Sequence, residues 1–285
     1  MKAILCPSLT QSNALSAARQ VADVLARDGV STVFCPLYDG EEISAQEGIT
    51  WSTVKDEMGN ADVLVVFGGD GALLRAARLV ADEELPVASV NLGHLGFITD
   101  LGPGDIGEFR RLAARDYKIS ERMMLKVKVF REGDCILKDV VLNDVEIKGL
   151  ERVIALEISG DDAVMLKYTG DGAVVSTPTG STAYSMSAGG PIVEPDTEAI
   201  IVTPICPHML SARSFVLAPS RTVRVRVSSE RKNPAVISCD GSDGVSLLPD
   251  DVIEIRRSAK KTRLIRFSDR SFYSTVYEKL GDRDL

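Results

Sequence analysis

The chain has 285 residues, 45% hydrophobic and 26% charged, with a formal net charge of −8 at pH 7. This length suits one large or two moderate domains, and the composition is that of an ordinary globular protein. The acidic excess argues against a general nucleic-acid binder, which carries a basic face, and no apolar run reaches the length of a membrane span.

The segment Met1-Lys2-Ala3-Ile4-Leu5-Cys6 reads as a first strand over 3–6, its apolar stretch being too short for a signal peptide. An amphipathic helix follows over Ala14–Arg27, then a strand over 32–35 and a loop or irregular helix over 41–48. Asp62-Val63-Leu64-Val65-Val66-Phe67 is short, apolar and β-branched, as a buried parallel strand should be. It runs into Gly68-Gly69-Asp70-Gly71. Good helix formers then continue from Ala72 to Leu79 without Pro or Gly. A short strand over Val87–Val90 and a helix near 106–114 complete this part. Such alternation predicts a Rossmann-like α/β domain with a parallel sheet, covering 1–115 and joined by 270–285. Ligands of such sheets bind at the carboxyl ends of strands.

From about Asp116 the pattern becomes short alternating runs separated by Gly and Asp turns: 124–129, 137–147, 152–158 and 163–168. It resumes at 216–217, Thr222–Val227, Ala235–Cys239, 252–255 and 263–267. This predicts a β-rich, sandwich-like second domain over 116–269, interrupted by one short helix over 181–188. The stretch 271–285 lacks strand alternation and is expected to return to the first domain.

Gly68-Gly69-Asp70-Gly71 is either a tight turn or a phosphate-facing loop. Glycines let a ligand approach the backbone, and a helix N-terminus favours anions. A carboxylate in such a place suits Mg²⁺ handling or proton removal from a hydroxyl nucleophile. Arg75 is a phosphate ligand or a solvated helix residue. Asn91-Leu92-Gly93-His94-Leu95-Gly96-Phe97 follows the next strand; it can wall a nucleotide pocket, or place Phe97 in the core with His94 merely hydrogen-bonded. Asn143-Asp144 interrupts an apolar run, where a carboxylate needs partners such as ribose hydroxyls unless the pair forms a bulge or turn. The run from Gly170 to Pro191 is rich in hydroxyl and small side chains. Helix capping alone does not account for all of it, and Tyr184 can stack on a ring. Asp240-Gly241 ends a strand and reads locally as a turn.

Five cysteines (Cys6, Cys35, Cys135, Cys206 and Cys239) are scattered without Cys-x-x-Cys spacing. Neither a zinc site nor a disulfide framework is indicated, and reduced thiols in a cytoplasmic protein are expected.

Together these motifs, with Pro207-His208-Met209-Leu210-Ser211-Ala212-Arg213, resemble the NAD kinase family in order and spacing across about residues 60–245. Gly-Gly-Asp-Gly alone is shared with phosphofructokinases and diacylglycerol or sphingoid-base kinases. A lipid or sugar kinase, or a non-catalytic dinucleotide-binding regulator, is the alternative. The resemblance implies transfer of the terminal phosphoryl of ATP to the adenosine-ribose 2′-hydroxyl of NAD, and leaves polyphosphate as another donor. It implies Asp70 as general base, with Gly68, Gly69, Gly71 and Arg75 at the donor phosphates. Gly71, Phe97, Asn143, Asp144, Asp171, Thr182, Ala183, Tyr184, Ser187 and Asp240 would contact NAD. It also implies Mg²⁺ or another divalent cation with ATP, no dedicated protein metal site, and a homodimer or homotetramer in which Asp171 can serve a neighbouring subunit. Two departures stand out. Ala72 replaces a Thr common in the family, removing a hydroxyl from the phosphate loop, and Asp144 is one methylene shorter than the frequent Glu.

Overall fold

The computed structural model describes residues 1–38, 49–93, 96–229 and 233–281; the loop expected over 41–48 and His94 lie outside the described residues. The chain divides into two compact units, one of residues 1–121 and 262–285, the other of residues 122–261.

In the first unit, parallel strands Ser31–Phe34, Lys2–Pro7, Val63–Phe67 and Val87–Val90 lie side by side in that order. Leu264, near the end of strand Val252–Arg266, pairs in parallel with Val87. Every residue of Val63–Phe67 is buried, which explains why this strand reads as an unbroken apolar run. Helix Ala14–Arg27 buries Ala14, Ala17, Ala18, Val21 and Leu25, the three-and-four spacing of one helical face. Helix Asp70–Leu79 turns Leu73, Leu74, Ala76 and Ala77 inward. Each fully buried Val or Leu side chain is worth about 1.5–3 kcal/mol of transfer free energy, and each Ala methyl less than that. These stripes therefore hold the helices on the sheet and fix where Asp70–Leu79 begins. The region near 106–114 is a 3₁₀ turn, Pro103–Phe109, followed by a short helix, Arg110–Ala114. The C-terminal stretch forms helix Phe272–Leu280, capped by Ser271, whose hydroxyl accepts the Ser274 N–H at 3.0 Å.

The second unit is antiparallel. One sheet runs in the order Phe215–Leu217, Ile200–Ile205, Gly172–Ser176, Asp144–Gly149, Ala235–Cys239, Val245–Leu247. The other contains Ala163–Gly170, Ile154–Gly160, Thr222–Val227 and residues 252–256 of the long strand. Val145, Ile147, Ala173 and Val175 of the first sheet share a core with Val223, Val225, Ile253 and Ile255 of the second. This is the sandwich expected from the alternation. Strand periodicity then sends Asp144, Glu146 and Lys148 to the opposite face of their sheet. The helical turn over 179–187 is fastened to that same outer face by a 2.9 Å hydrogen bond between the Ser185 and Thr203 hydroxyls. No helix among the described residues is long and apolar enough to cross a membrane.

Candidate active site

In the first unit, Asp70 is the first residue of its helix and is separated from the carboxyl end of Val63–Phe67 only by Gly68 and Gly69. Its half-buried carboxylate is gripped by the 97–99 loop. Phe97 N–H donates to Oδ2 at 2.8 Å, while the Thr99 N–H and hydroxyl both donate to Oδ1 at 3.2 Å. Gly96 makes this approach possible: a Cβ there would lie 1.7 Å from Asp70 Oδ1. Gly68 is likewise dictated by packing, since its Cβ would stand 2.6 Å from that of Ala72. Among the described residues, Cβ atoms on Gly69 or Gly71 would meet nothing within 4 Å, which leaves room there for a ligand to approach the backbone.

Arg75 lies one helical turn further on. Its Nε donates to the Leu37 carbonyl at 3.4 Å, and its guanidinium sits 5.8 Å from the Tyr38 ring. The half-buried Phe97 ring is faced by the Lys279 ammonium at 4.5 Å, bringing the C-terminal helix to this loop. Sequence reasoning missed Thr99 and Lys279. Neither carries a local signal, because each acts on a partner far away along the chain.

In the second unit, Leu142 and Asn143 form a break between strands Asp134–Val141 and Asp144–Gly149, and Asp144 opens the second strand. The break is held from outside. Asp240 accepts the N–H of Leu142 on Oδ2 at 2.7 Å, and those of Asn143 and Asp144 on Oδ1 at 2.8 and 3.0 Å. Both oxygens of Asp240 thus serve the main chain of this turn, a building role that the sequence did not disclose. From the other side, Thr177 donates its N–H to the Asn143 carbonyl at 2.8 Å and its hydroxyl to the Leu142 carbonyl at 2.6 Å. Gly180 abuts the same peptide.

The side chains of Asn143 and Asp144 are left available in this clamp. Asn143 Oδ1 is buried and has no hydrogen-bond partner among the described residues. An unsatisfied buried amide oxygen costs about 1–3 kcal/mol, so it marks where a donor from a bound molecule would be rewarded. Asp144 is 4% exposed. Burial, then the neighbouring charges of Asp240 and Glu146, pushes its pKa up to about 8 against the opposing pull of Lys148. Lys148 pairs with Glu146 at 2.5 Å and lies 5.2 Å from the Tyr184 ring centroid, steadying that half-buried aromatic.

The run near 180 is a 3₁₀ turn, Thr179–Thr182, leading into the short helix Tyr184–Ser187. Thr182 is buried and bonds the Thr179 carbonyl at 3.3 Å, whereas Ser187 is exposed and Ala183 is half-buried. Asp171 is exposed at the turn between strands Ala163–Gly170 and Gly172–Ser176, and its carboxylate holds the Cys206 thiol, raising that thiol's pKa. Asn143, Asp144, Thr182, Ala183 and Tyr184 thus belong to one neighbourhood of this unit, while Asp171 stands at a strand end. Among the described residues no three His, Cys, Asp or Glu side chains gather as a metal site would require.

The family model described as the ATP-NAD kinase N-terminal domain matches residues 7–117, and that of the ATP-NAD kinase C-terminal domain matches residues 137–267. The chain is 36% identical to the NAD kinase of Acetivibrio thermocellus over 288 residues, covering 99% of this chain and 98% of that protein. It is 40% identical to the NAD kinase of Symbiobacterium thermophilum over 275 residues, 94% of each chain. Two solved structures share its fold. The yeast NADH kinase complexed with NADH has a TM-score of 0.88 at 23% identity, with 100% of this chain and 89% of that one covered. The NAD kinase from Archaeoglobus fulgidus in complex with ATP has a TM-score of 0.75 at 22% identity, with 98% of each chain covered.

Proposed function

Because this chain belongs to the ATP-NAD kinase family and phosphorylates NAD, we propose that Asp70 is the general base of the transfer. The terminal phosphoryl of ATP passes to the 2′-hydroxyl of the adenosine ribose, giving NADP. The observation that carries the assignment is the grip on Asp70 at the mouth of an open glycine loop. A ribose hydroxyl is a weak nucleophile at neutral pH, and a held carboxylate that takes its proton contributes roughly 10²–10⁴-fold. The rest of the rate comes from alignment and charge neutralisation around the phosphoryl group.

Asn143 and Asp144 are the dinucleotide anchors. Asn143 Oδ1 can accept from an amine or hydroxyl of the ligand, and the Asp144 carboxylate can bridge two ribose hydroxyls. Tyr184 offers a ring face, with Thr182, Ala183 and Ser187 bordering the same turn, and Phe97 and Asp171 are further NAD contacts. Asp240 positions Asn143 and Asp144 through their main chain. Gly68, Gly69 and Gly71 admit the donor phosphates, with Arg75 contributing charge.

A divalent cation such as Mg²⁺ fits these residues. With no three-carboxylate cluster among those described, the ion would be held mainly by ATP phosphates and water rather than by a cage of protein ligands. When bound it supplies neutralisation of phosphate charge. A homodimer or homotetramer is supported by the exposed turn carrying Met209 and Leu210, and a cytoplasmic location by five cysteines that are all free thiols. The test is NADP formation by the purified protein with Mg-ATP and NAD. Asp70→Asn should lose about 10²–10⁴-fold in kcat while binding NAD as before; an unimpaired rate would remove Asp70 from the chemistry.

A further inference from the structure

Thr99 is 5% exposed, and its hydroxyl sits at the centre of a small network confined to the first unit. Asn91 Nδ2 donates to Thr99 Oγ1 at 3.0 Å, and Gly96 N–H donates to the same oxygen at 3.2 Å. The orientation of the Asn91 amide follows from its other end, where Oδ1 accepts the Gly93 N–H at 3.0 Å. A hydroxyl has two lone pairs and one proton. With both lone pairs used by these donors, the Thr99 proton can only point to an acceptor, and the acceptor present is Asp70 Oδ1 at 3.2 Å.

The consequence is an asymmetry between the two carboxylate oxygens. Oδ1 accepts twice from Thr99, through N–H and hydroxyl, which fills its lone pairs. Oδ2 accepts once, from Phe97 N–H, and keeps one lone pair. Resting on the assignment of Asp70 as base, we infer that Thr99, oriented by Asn91, is a positioning residue that selects Asp70 Oδ2 as the oxygen receiving the ribose proton. In the step so defined, the ribose O–H bond breaks and its proton goes to Oδ2. The freed electron pair forms the new O–P bond, and the bond from phosphorus to the ADP oxygen breaks with its pair leaving on ADP.

The experiment compares Thr99→Val, Thr99→Ser and Asn91→Ala, alone and with Asp70→Asn, in steady-state kinetics and NAD-binding titrations. Valine keeps the volume and deletes the hydroxyl. It should lower kcat about 10- to 100-fold, as a loosened catalytic group does, with NAD affinity held within about twofold. Serine, which restores the hydroxyl, should return kcat to within about threefold of the parent. Asn91→Ala, which lets the hydroxyl turn away, should give a smaller loss of kcat at unchanged NAD affinity. On the Asp70→Asn background Thr99→Val should cost nothing more, because both act through one group. The inference is overturned if Thr99→Val or Asn91→Ala keeps the parental kcat. It is also overturned if serine is no better than valine, or if the Thr99 and Asp70 effects multiply. An Asp70→Asn enzyme that turns over normally defeats the base assignment itself, a result visible in that single variant and distinct from the others.

Discussion

Asp144 and Asp240 are tied in both directions: Asp240 N–H donates to the Asp144 carbonyl at 3.0 Å, and Asp144 N–H returns a bond to the Asp240 side chain, at Oδ1, also at 3.0 Å. The second acid thereby shapes the turn on which the first is presented. Asp240 also adopts a left-handed conformation, φ +48°, which Asn tolerates far better than Ala. Asp240→Ala removes an acceptor from three N–H groups and adds backbone strain. It should destabilise the protein by roughly 2–4 kcal/mol and weaken NAD binding about tenfold or more. Asp240→Asn retains one acceptor oxygen and should fall well between that variant and the parent. Thermal melts and NAD titrations on the three proteins check this; equal NAD affinity across them would deny Asp240 its positioning role.

Gly180 offers a sharper probe of the same turn. A Cβ at this position would stand 2.2 Å from the Asn143 carbonyl oxygen and 2.5 Å from its carbon, both main-chain atoms that cannot swing aside. Gly180→Ala must therefore push apart the two segments that present Asn143 and the Thr179–Thr182 turn. Overpacking of this kind costs about 1–3 kcal/mol, and we expect it to appear as a loss of NAD affinity of about tenfold with a smaller change in the KM for ATP. Calorimetric titration with NAD is the direct measurement. Parental affinity in Gly180→Ala would place the dinucleotide elsewhere on this unit.

Much of this was legible in the chain because local chemistry determined it. The run from Val63 to Phe67 is buried on every side, so it had to be continuously apolar, and the turn and helix after it follow from glycine and helix-former placement. Asp144, Glu146 and Lys148 share a face because Val145 and Ile147 must point to the core. Other features were hidden by long-range pairing. Strands Gly172–Ser176 and Ile200–Ile205 are buried on both faces too, but Gly172, Ser176, Thr203 and Pro204 interrupt the continuous apolar run that revealed Val63–Phe67. The long strand Val252–Arg266 reads as two pieces, because the polar run from Arg256 to Lys261 masks its middle. The run over 137–147 breaks at Leu142 and Asn143 because a carboxylate nearly a hundred residues away takes their N–H groups. Thr99 meets Asp70 across a separation of 29 residues, and no spacing rule connects them.

The elevated pKa of Asp144, about 8, makes NAD binding and stability depend on pH in opposite senses. Burial is the main cause; Asp240 and Glu146 face the carboxyl and add to it, while Lys148 opposes them. In the unfolded chain an Asp ionises near pH 4. Between about pH 4 and pH 8 the native protein therefore holds a proton that the unfolded chain has released, so this group's stabilisation is complete below about pH 4 and is lost as pH rises through 8. Asp144→Asn cannot ionise. Its Tm should approach the parent's near pH 4–5 and exceed it by a few degrees at pH 8.5. Binding runs the other way. Two ribose hydroxyls donating to the carboxylate favour its ionised form, so NAD should bind more tightly as pH rises from 6 to 8 and level off above. At pH 7, association should release about one proton, detectable as a calorimetric enthalpy that varies with the ionisation enthalpy of the buffer. Asp144→Asn should show neither the release nor the pH slope. Proton release that persists in the variant would assign the titrating group to another side chain, and a parent with no release at all would mean that the ribose does not donate to Asp144.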